Sequence, residues 1–305
     1  LMTLRKTGNT SNNGIRINKP GDLTAKLVDE LPFQLTGAQR KVLGEILRDM
    51  RSGMSMHRLL QGDVGSGKTL VAWLASLFVI EQGWQATIMA PTEVLARQHG
   101  ESISKLVEHL GVSLEVLTGS TPLAQRRKIS AGASSGEIDL LIGTHALLGK
   151  DIYLPNLGLA VVDEQHRFGV MQRGKASKTE SDQPHVLVMS ATPIPRSLSL
   201  TLYGDLSLSM IDELPLGRKP IMTDLIQPTQ VASMHRTLCQ RVKNGQQAYI
   251  IYPVIEETQG QDIKSATEEF EKLSTTVFSE FKVALLHGRI KGAEKVRIMK
   301  SFASK

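Results

Sequence analysis

The stretch Gly62-Asp63-Val64-Gly65-Ser66-Gly67-Lys68-Thr69 constrains this chain more than any other part of it. It fits the pattern G-x-x-x-x-G-K-[ST], with apolar Leu59-Leu60 before it and an apolar run from Leu70 to Ile80 after it, the setting of a turn between a parallel strand and a helix. Glycines let the backbone curl so that successive N–H groups face a chain of phosphates, and a helix starting near Lys68 adds its positive dipole end. In such a loop Lys68 reaches the β and γ phosphates and Thr69 holds magnesium.

A phosphate loop of this kind needs a sheet to carry it, and the hydrophobic pattern supplies one. Short apolar runs at Ala86–Ala90, Leu114–Leu117, Asp139–Ile142, Leu159–Val162 and Val186–Met189 alternate with helical stretches such as Val94–Leu110. This alternation predicts an α/β fold, a parallel sheet flanked by helices, over residues 23–212. Residues 213–220, rich in proline and glycine, read as an interdomain linker. Strands expected at Ile221–Ile226, Ala248–Val254 and Val283–Leu286 open a second α/β unit over 221–305. Residues 1–22 read as a linker, since Gly8 to Gly14 offers little to bury; a tail without function and a basic arm touching nucleic acid both fit it.

Composition narrows the class. The chain has 305 residues, 41% of them hydrophobic, enough for two packed domains. Lys and Arg exceed Asp and Glu by 36 to 30, a charge of +6 that suits a polyanionic partner and equally an ordinary basic enzyme. Aromatic residues at 4% disfavour a surface that grips single strands mainly by stacking, so backbone phosphates are the better target. Cys239 is the one cysteine, which excludes an intrachain disulfide and a cysteine zinc cluster and reads as cytoplasmic. No apolar run approaches the length that spans a bilayer, so no membrane partner is expected.

The loop also needs a carboxylate for its metal. Leu159-Ala160-Val161-Val162-Asp163-Glu164 ends an apolar run in two acids, of which Asp163 would bind magnesium through water and Glu164 would orient and deprotonate the attacking water. Acids at strand ends are usually solvated loop residues; pairing with the phosphate loop gives these their meaning.

With Asp163-Glu164-Gln165-His166 followed by Arg167-Phe168-Gly169-Val170, and with Ser190-Ala191-Thr192 later, the chain resembles the RecG family of superfamily-two DNA helicases in its motifs II and III. The segment Leu31 to Gln39 is similar to that family's Q motif, and Pro91 to His99 to its motif Ia. Thr118-Gly119-Ser120 and Gly143-Thr144-His145 resemble its DNA-facing loops, while Leu285 to Arg289 resembles motif IV. The transcription-repair coupling factor is a relative, but Asp-Glu-Glu-Gln is expected there in motif II.

The resemblance implies an ATP- and magnesium-dependent helicase or translocase with RecA-like domains, acting on branched and duplex DNA, monomeric, with a single-strand-binding protein as a candidate partner. It implies that Phe33 and Gln39 contact the adenine base; left to themselves, Phe33 would read as core and Gln39 as a solvated helix residue. It gives His166, Ser190 and Thr192 the coupling of hydrolysis to DNA, and Thr92, Arg97, Gln98, Thr118, Gly119, Thr144, His145, His287 and Arg289 the DNA contacts. For Thr118-Gly119 alone an ordinary turn is the plainer reading. The family pattern places a wedge domain before residue 1 and motifs V and VI beyond Lys305. The chain alone is therefore expected to be a defective motor, since losing an arginine finger costs about three to five decades in rate. A nucleotide-gated DNA-binding switch, a coupling-factor type translocase and a P-loop ATPase acting on other substrates are the alternatives.

Overall fold

The computed structural model of the chain describes residues 14–17, 21–107, 109–163, 183–192, 206–215, 221–252, 261–290 and 292–304. The chain divides into two compact units, Leu1–Arg218 and Lys219–Lys305.

The first unit is a seven-stranded sheet in the order β3-β4-β2-β5-β6-β1-β7, parallel at every pairing. Its strands are β1 (His57–Gly62), β2 (Gln85–Met89), β3 (Leu114–Leu117), β4 (Leu140–Gly143), β5 (Leu157–Asp163), β6 (His185–Ser190) and β7 (Ser207–Ile211). A parallel sheet must be covered on both faces, and the central strands β2 and β5 accordingly bury nearly every residue. Its described α-helices are α1 (Asp22–Glu30), α2 (Gly37–Arg51), α3 (Lys68–Ile80), α4 (Glu93–Val107) and α5 (Leu123–Ser135). Helix α3 is apolar almost all round, and Val71 to Val79 are all buried, as a helix without a polar face must be. The six strands expected from sequence in this unit are present, and β7 is an additional one.

Side chains reinforce the ladder that pairs β7 with β1. Arg58 on β1 donates to Asp49 on α2 from Nε (3.0 Å) and Nη2 (2.6 Å), and through Nη1 to Ser209 on β7 (2.6 Å) and Glu45 on α2 (3.3 Å). Ser209 Oγ in turn donates to Glu45. One guanidinium fork therefore joins a helix to two strands.

Within the stretch expected to be a linker, Ile15 and Ile17 lie in the main core, 3% and 1% exposed. The Ile17 and Gly14 amides donate to Met50 O (3.2 Å) and Gly53 O (3.0 Å). Gly14 is crowded: a Cβ there would lie 2.2 Å from the Ser55 nitrogen. Reading the glycine-rich run as having little to bury overlooked the two isoleucines that follow it.

The same segment is fastened by His185, fully buried on β6. Its Nδ1 accepts from the Met56 amide (3.0 Å) and its Nε2–H donates to Ile15 O (2.8 Å), a pattern that only the neutral ring can make. Burial pushes its pKa down from 6.5 to about 4, with His57 adding to the shift and the Ile15 carbonyl and Asp49 opposing it. The unfolded chain thus binds the proton first as pH falls. This contribution to stability is complete above pH 6.5 and is lost progressively toward pH 4. By pH 5 the loss reaches about 2 kcal/mol relative to pH 7.5. Urea melts at the two pH values should show this difference, and His185→Gln should flatten it.

In the second unit, α6 (Val231–Lys243), α7 (Gln261–Thr275) and α8 (Gly292–Ala303) form, and Leu273 and Phe278 are buried. The ring of His235 meets that of Phe278 edge-on at 5.7 Å. The strands expected at 221–226, 248–254 and 283–286 are not formed among the described residues; 253 and 254 lie outside them. Ile221, Met222, Leu225 and Ile251 are 76%, 86%, 91% and 85% exposed. Apolar alternation marks a face suited to a sheet, but a strand exists only where a ladder partner accepts its hydrogen bonds, and these segments have none here. Among the described residues no helix is long and apolar enough to cross a membrane.

Candidate functional site

Because every strand runs the same way, all carboxyl ends meet at one edge of the sheet, the place where open α/β sheets bind ligands. The phosphate loop follows β1, Pro91–Thr92 follows β2, Thr118 to Thr121 follows β3, Thr144–His145 follows β4, Asp163 ends β5, and Ser190 ends β6 with Thr192 just after it. Six segments scattered over more than a hundred residues thus share one rim.

At the phosphate loop, Gly65 and Gly67 have φ of 77° and 89°, the left-handed region that favours glycine. A Cβ on Gly67 would come within 2.2 Å of Gln39 Nε2. The Lys68 ammonium donates to Gly62 O (2.7 Å) and Asp63 O (2.8 Å), folded back on its own loop. Burial lowers its pKa below the ordinary lysine value, and the carboxylates of Asp163 and Asp63 oppose that shift. Asp63 Oδ1 accepts from the Val64 amide (2.7 Å), and Val64 itself is exposed. Ser66 is fully buried, and its Oγ has no hydrogen-bond partner among the described residues. Thr69 stands in the first turn of α3. A curled glycine backbone, a lysine against loop carbonyls and an orphaned buried hydroxyl form a cradle that fits a polyphosphate.

Gln39 is 2% exposed and is not a solvated helix residue. It closes a capping box with Thr36, accepting from the Thr36 amide (2.9 Å) while its own amide donates to Thr36 Oγ1 (3.2 Å). Its Nε2 donates to Ser66 O at 2.7 Å, which ties the start of α2 to the phosphate loop. Phe33 is 53% exposed, so it is not core.

Asp163 is half-buried, and its Oδ2 lies 3.2 Å from His99 Nε2 on α4. Glu164 and His166 lie outside the described residues. Ser190 Oγ lies 3.0 Å from Thr192 Oγ1 and accepts from the Thr192 amide at 3.2 Å. Gln61, the last side chain before the phosphate loop, donates through Nε2 to Thr192 O (3.1 Å). The segment after β6 is thereby joined to the loop after β1 through one buried amide.

On the other side of the rim, Thr92 accepts from the Leu95 amide (3.3 Å) and caps α4, leaving Arg97 and Gln98 exposed. Glu93 accepts from Ser120 N (3.1 Å) and Ser120 Oγ (2.6 Å), and Arg97 Nη2 donates to Ser120 Oγ (3.3 Å), so helix and loop are clamped together. Thr118 and Thr144, expected to contact DNA, are 0% and 2% exposed; their side chains face inward, and Gly119, Ser120 and His145 form the outer surface. Thr118 O accepts from the Thr121 amide (3.2 Å), so this segment is also a hydrogen-bonded turn. In the second unit, His287 Nδ1 accepts from the Arg289 amide (3.3 Å).

Three participants escaped the sequence reading: His99, Glu93 and Gln61. Two of them sit inside the segment matched to motif Ia, and a glutamine ending the apolar run Leu59-Leu60 was a signal that could have been used.

A family model described as DEAD/DEAH box helicase matches residues 36–200. The chain is 50% identical over 285 residues to the ATP-dependent DNA helicase RecG of Synechocystis sp., and 43% identical over 302 residues to that of Aquifex aeolicus. Those alignments cover 93% and 99% of this chain but 34% and 38% of the relatives' own length. Among solved structures, RecG bound to a three-way DNA junction superposes with a TM-score of 0.78 at 43% identity, covering 95% of this chain and 38% of that one.

Proposed function

Because this chain belongs to the DEAD/DEAH box helicase family, we propose that it forms the ATP-binding part of a RecG-like motor that remodels branched DNA. The observation that carries the reading is the shared rim: nucleotide loop, acidic strand end and exposed polar loops all lie at the carboxyl edge of one parallel sheet.

In this reading the backbone amides of Gly65 to Thr69 and the Lys68 ammonium hold the phosphates of ATP, and Thr69 with Asp163 holds magnesium. Bound magnesium-ATP supplies the phosphoanhydride whose cleavage drives the cycle. Lys68 must then exchange two loop carbonyls for phosphate oxygens, which a charge-assisted bond favours. Glu164 is the acceptor for the proton of the attacking water. Phe33 and Gln39 hold the base, with Gln39 already reporting on the loop through Ser66. Arg97, Gln98, Ser120 and His145 suit phosphate oxygens rather than base edges, so DNA binding is sequence-neutral and weakens steeply with salt. His287 and Arg289 belong to the same reading as DNA contacts of the second unit, and the motor acts as a monomer, with a single-strand-binding protein as its candidate partner.

The test is ATP-dependent remodelling of forked against linear duplex DNA by the full-length protein at stated salt. Strand displacement or fork regression is expected with ATP and absent without it. ATP-gated binding with no change in the fork would instead favour the switch.

A further inference from the structure

Helix α4 touches both halves of the site. At its first turn, Glu93 holds Ser120 by two hydrogen bonds and Arg97 adds a third, which fixes the loop after β3 to the helix. Further along, His99 reaches Asp163 Oδ2 at 3.2 Å. Glu93 and His99 are six residues apart, about 9 Å along the axis. Between and beyond them Ala96, Gly100, Ile103 and Val107 are buried, and a Cβ on Gly100 would lie 2.5 Å from Val116 Cγ2 on β3. Packing this close leaves little slack, so a displacement at one end of the helix is passed along it.

From this geometry we infer that His99 is a positioning residue for Asp163, and that α4 transmits engagement of the rim loop by DNA to the metal-holding carboxylate. The inference rests on the functional reading above. One Asp163 oxygen is oriented by the imidazole N–H while the other is left for the metal shell, as outer partners orient metal-bound carboxylates elsewhere. A shift of α4 when Arg97 and Ser120 take a phosphate would carry His99, and with it the carboxylate, into or out of alignment. This route is separate from the one through Gln61 and Thr192.

The experiment measures ATP turnover by the full-length protein without DNA and with saturating forked DNA, and takes their ratio as the stimulation factor. His99→Leu, which keeps bulk and removes the donor, is expected to lower that factor at least about fivefold while the affinity for forked DNA, read by fluorescence anisotropy, stays within about twofold. His99→Gln returns an N–H donor and is expected to restore most of the factor. Glu93→Ala cuts the other end of the helix and is expected to lower the factor too, with the double variant no worse than the poorer single one. The relay is overturned if His99→Leu leaves the factor intact, if it lowers both rates equally, if Gln fails to restore it, or if the two losses multiply. Should the Leu variant lose its cooperative melt, Glu93→Ala decides by the same ratio. Wild-type turnover that ignores DNA would overturn the motor reading and the relay with it, whereas a normal wild-type factor with an unaffected His99→Leu sinks the relay alone.

Discussion

Replacing Lys68 by Ala lowers ATP turnover of the full-length protein by about 10²–10³-fold, the cost of removing one preorganised charge donor from a phosphoryl-transfer site. The fold should survive. Lys68 is only partly buried, and its two bonds go to carbonyls of its own loop, which water can satisfy in its absence. Losing the ammonium also removes a positive charge that acts on both Asp163 and Asp63. The check is steady-state turnover at saturating DNA together with a thermal melt: turnover should collapse with the melting temperature held within a few degrees. A variant that still hydrolyses ATP at the wild-type rate would remove the foundation of the functional reading.

Arg58→Ala acts on stability instead. The guanidinium is 10% exposed and satisfies Asp49, Glu45 and Ser209 together. Its removal leaves Glu45 and Asp49 without their shared cation and costs Ser209 on β7 its bond to β1's guanidinium, while the backbone ladder and the Ser209–Glu45 bond remain. Breaking a buried pair from one side costs about 3–5 kcal/mol; because Glu45 and Asp49 are 25% and 33% exposed, the expected loss is about 2–3 kcal/mol. Urea denaturation followed by circular dichroism measures it. Asp49→Asn should cost less, since the cation keeps Glu45. A loss below about 0.5 kcal/mol would mean the network is no stronger than a surface pair.

Much of the site could be read from residue order because its chemistry is local. A phosphate loop is made by consecutive backbone amides, so Gly62 to Thr69 carry their meaning in their spacing, and the structure places Gly65 and Gly67 in the conformation that spacing demands. The central strands were equally legible, since burial on both faces of a parallel sheet writes itself as continuous apolar runs. Contacts between distant segments were not legible. Gln39 on Ser66, Gln61 on Thr192 and His99 on Asp163 span 27, 131 and 64 positions, and no local pattern encodes a partner that far away. The same limit explains Thr118 and Thr144: a hydroxyl after a strand looks available in sequence, while the turn geometry decides that it points inward.

β7 and the second unit show the boundary from both sides. Ser207-Leu208-Ser209-Met210-Ile211 has weak apolar alternation yet forms a strand, because β1 offers an open ladder and Arg58 a charge to hold Ser209. The segments at 221–226, 248–252 and 283–286 have better patterns and form none. Residue order by itself determined the curled glycine loop and the parallel sheet, since each depends on neighbours along the chain. Tertiary structure decided which strands pair, which hydroxyls face out and which helix touches Asp163, because hydrogen bonds and burial are settled only when distant segments meet.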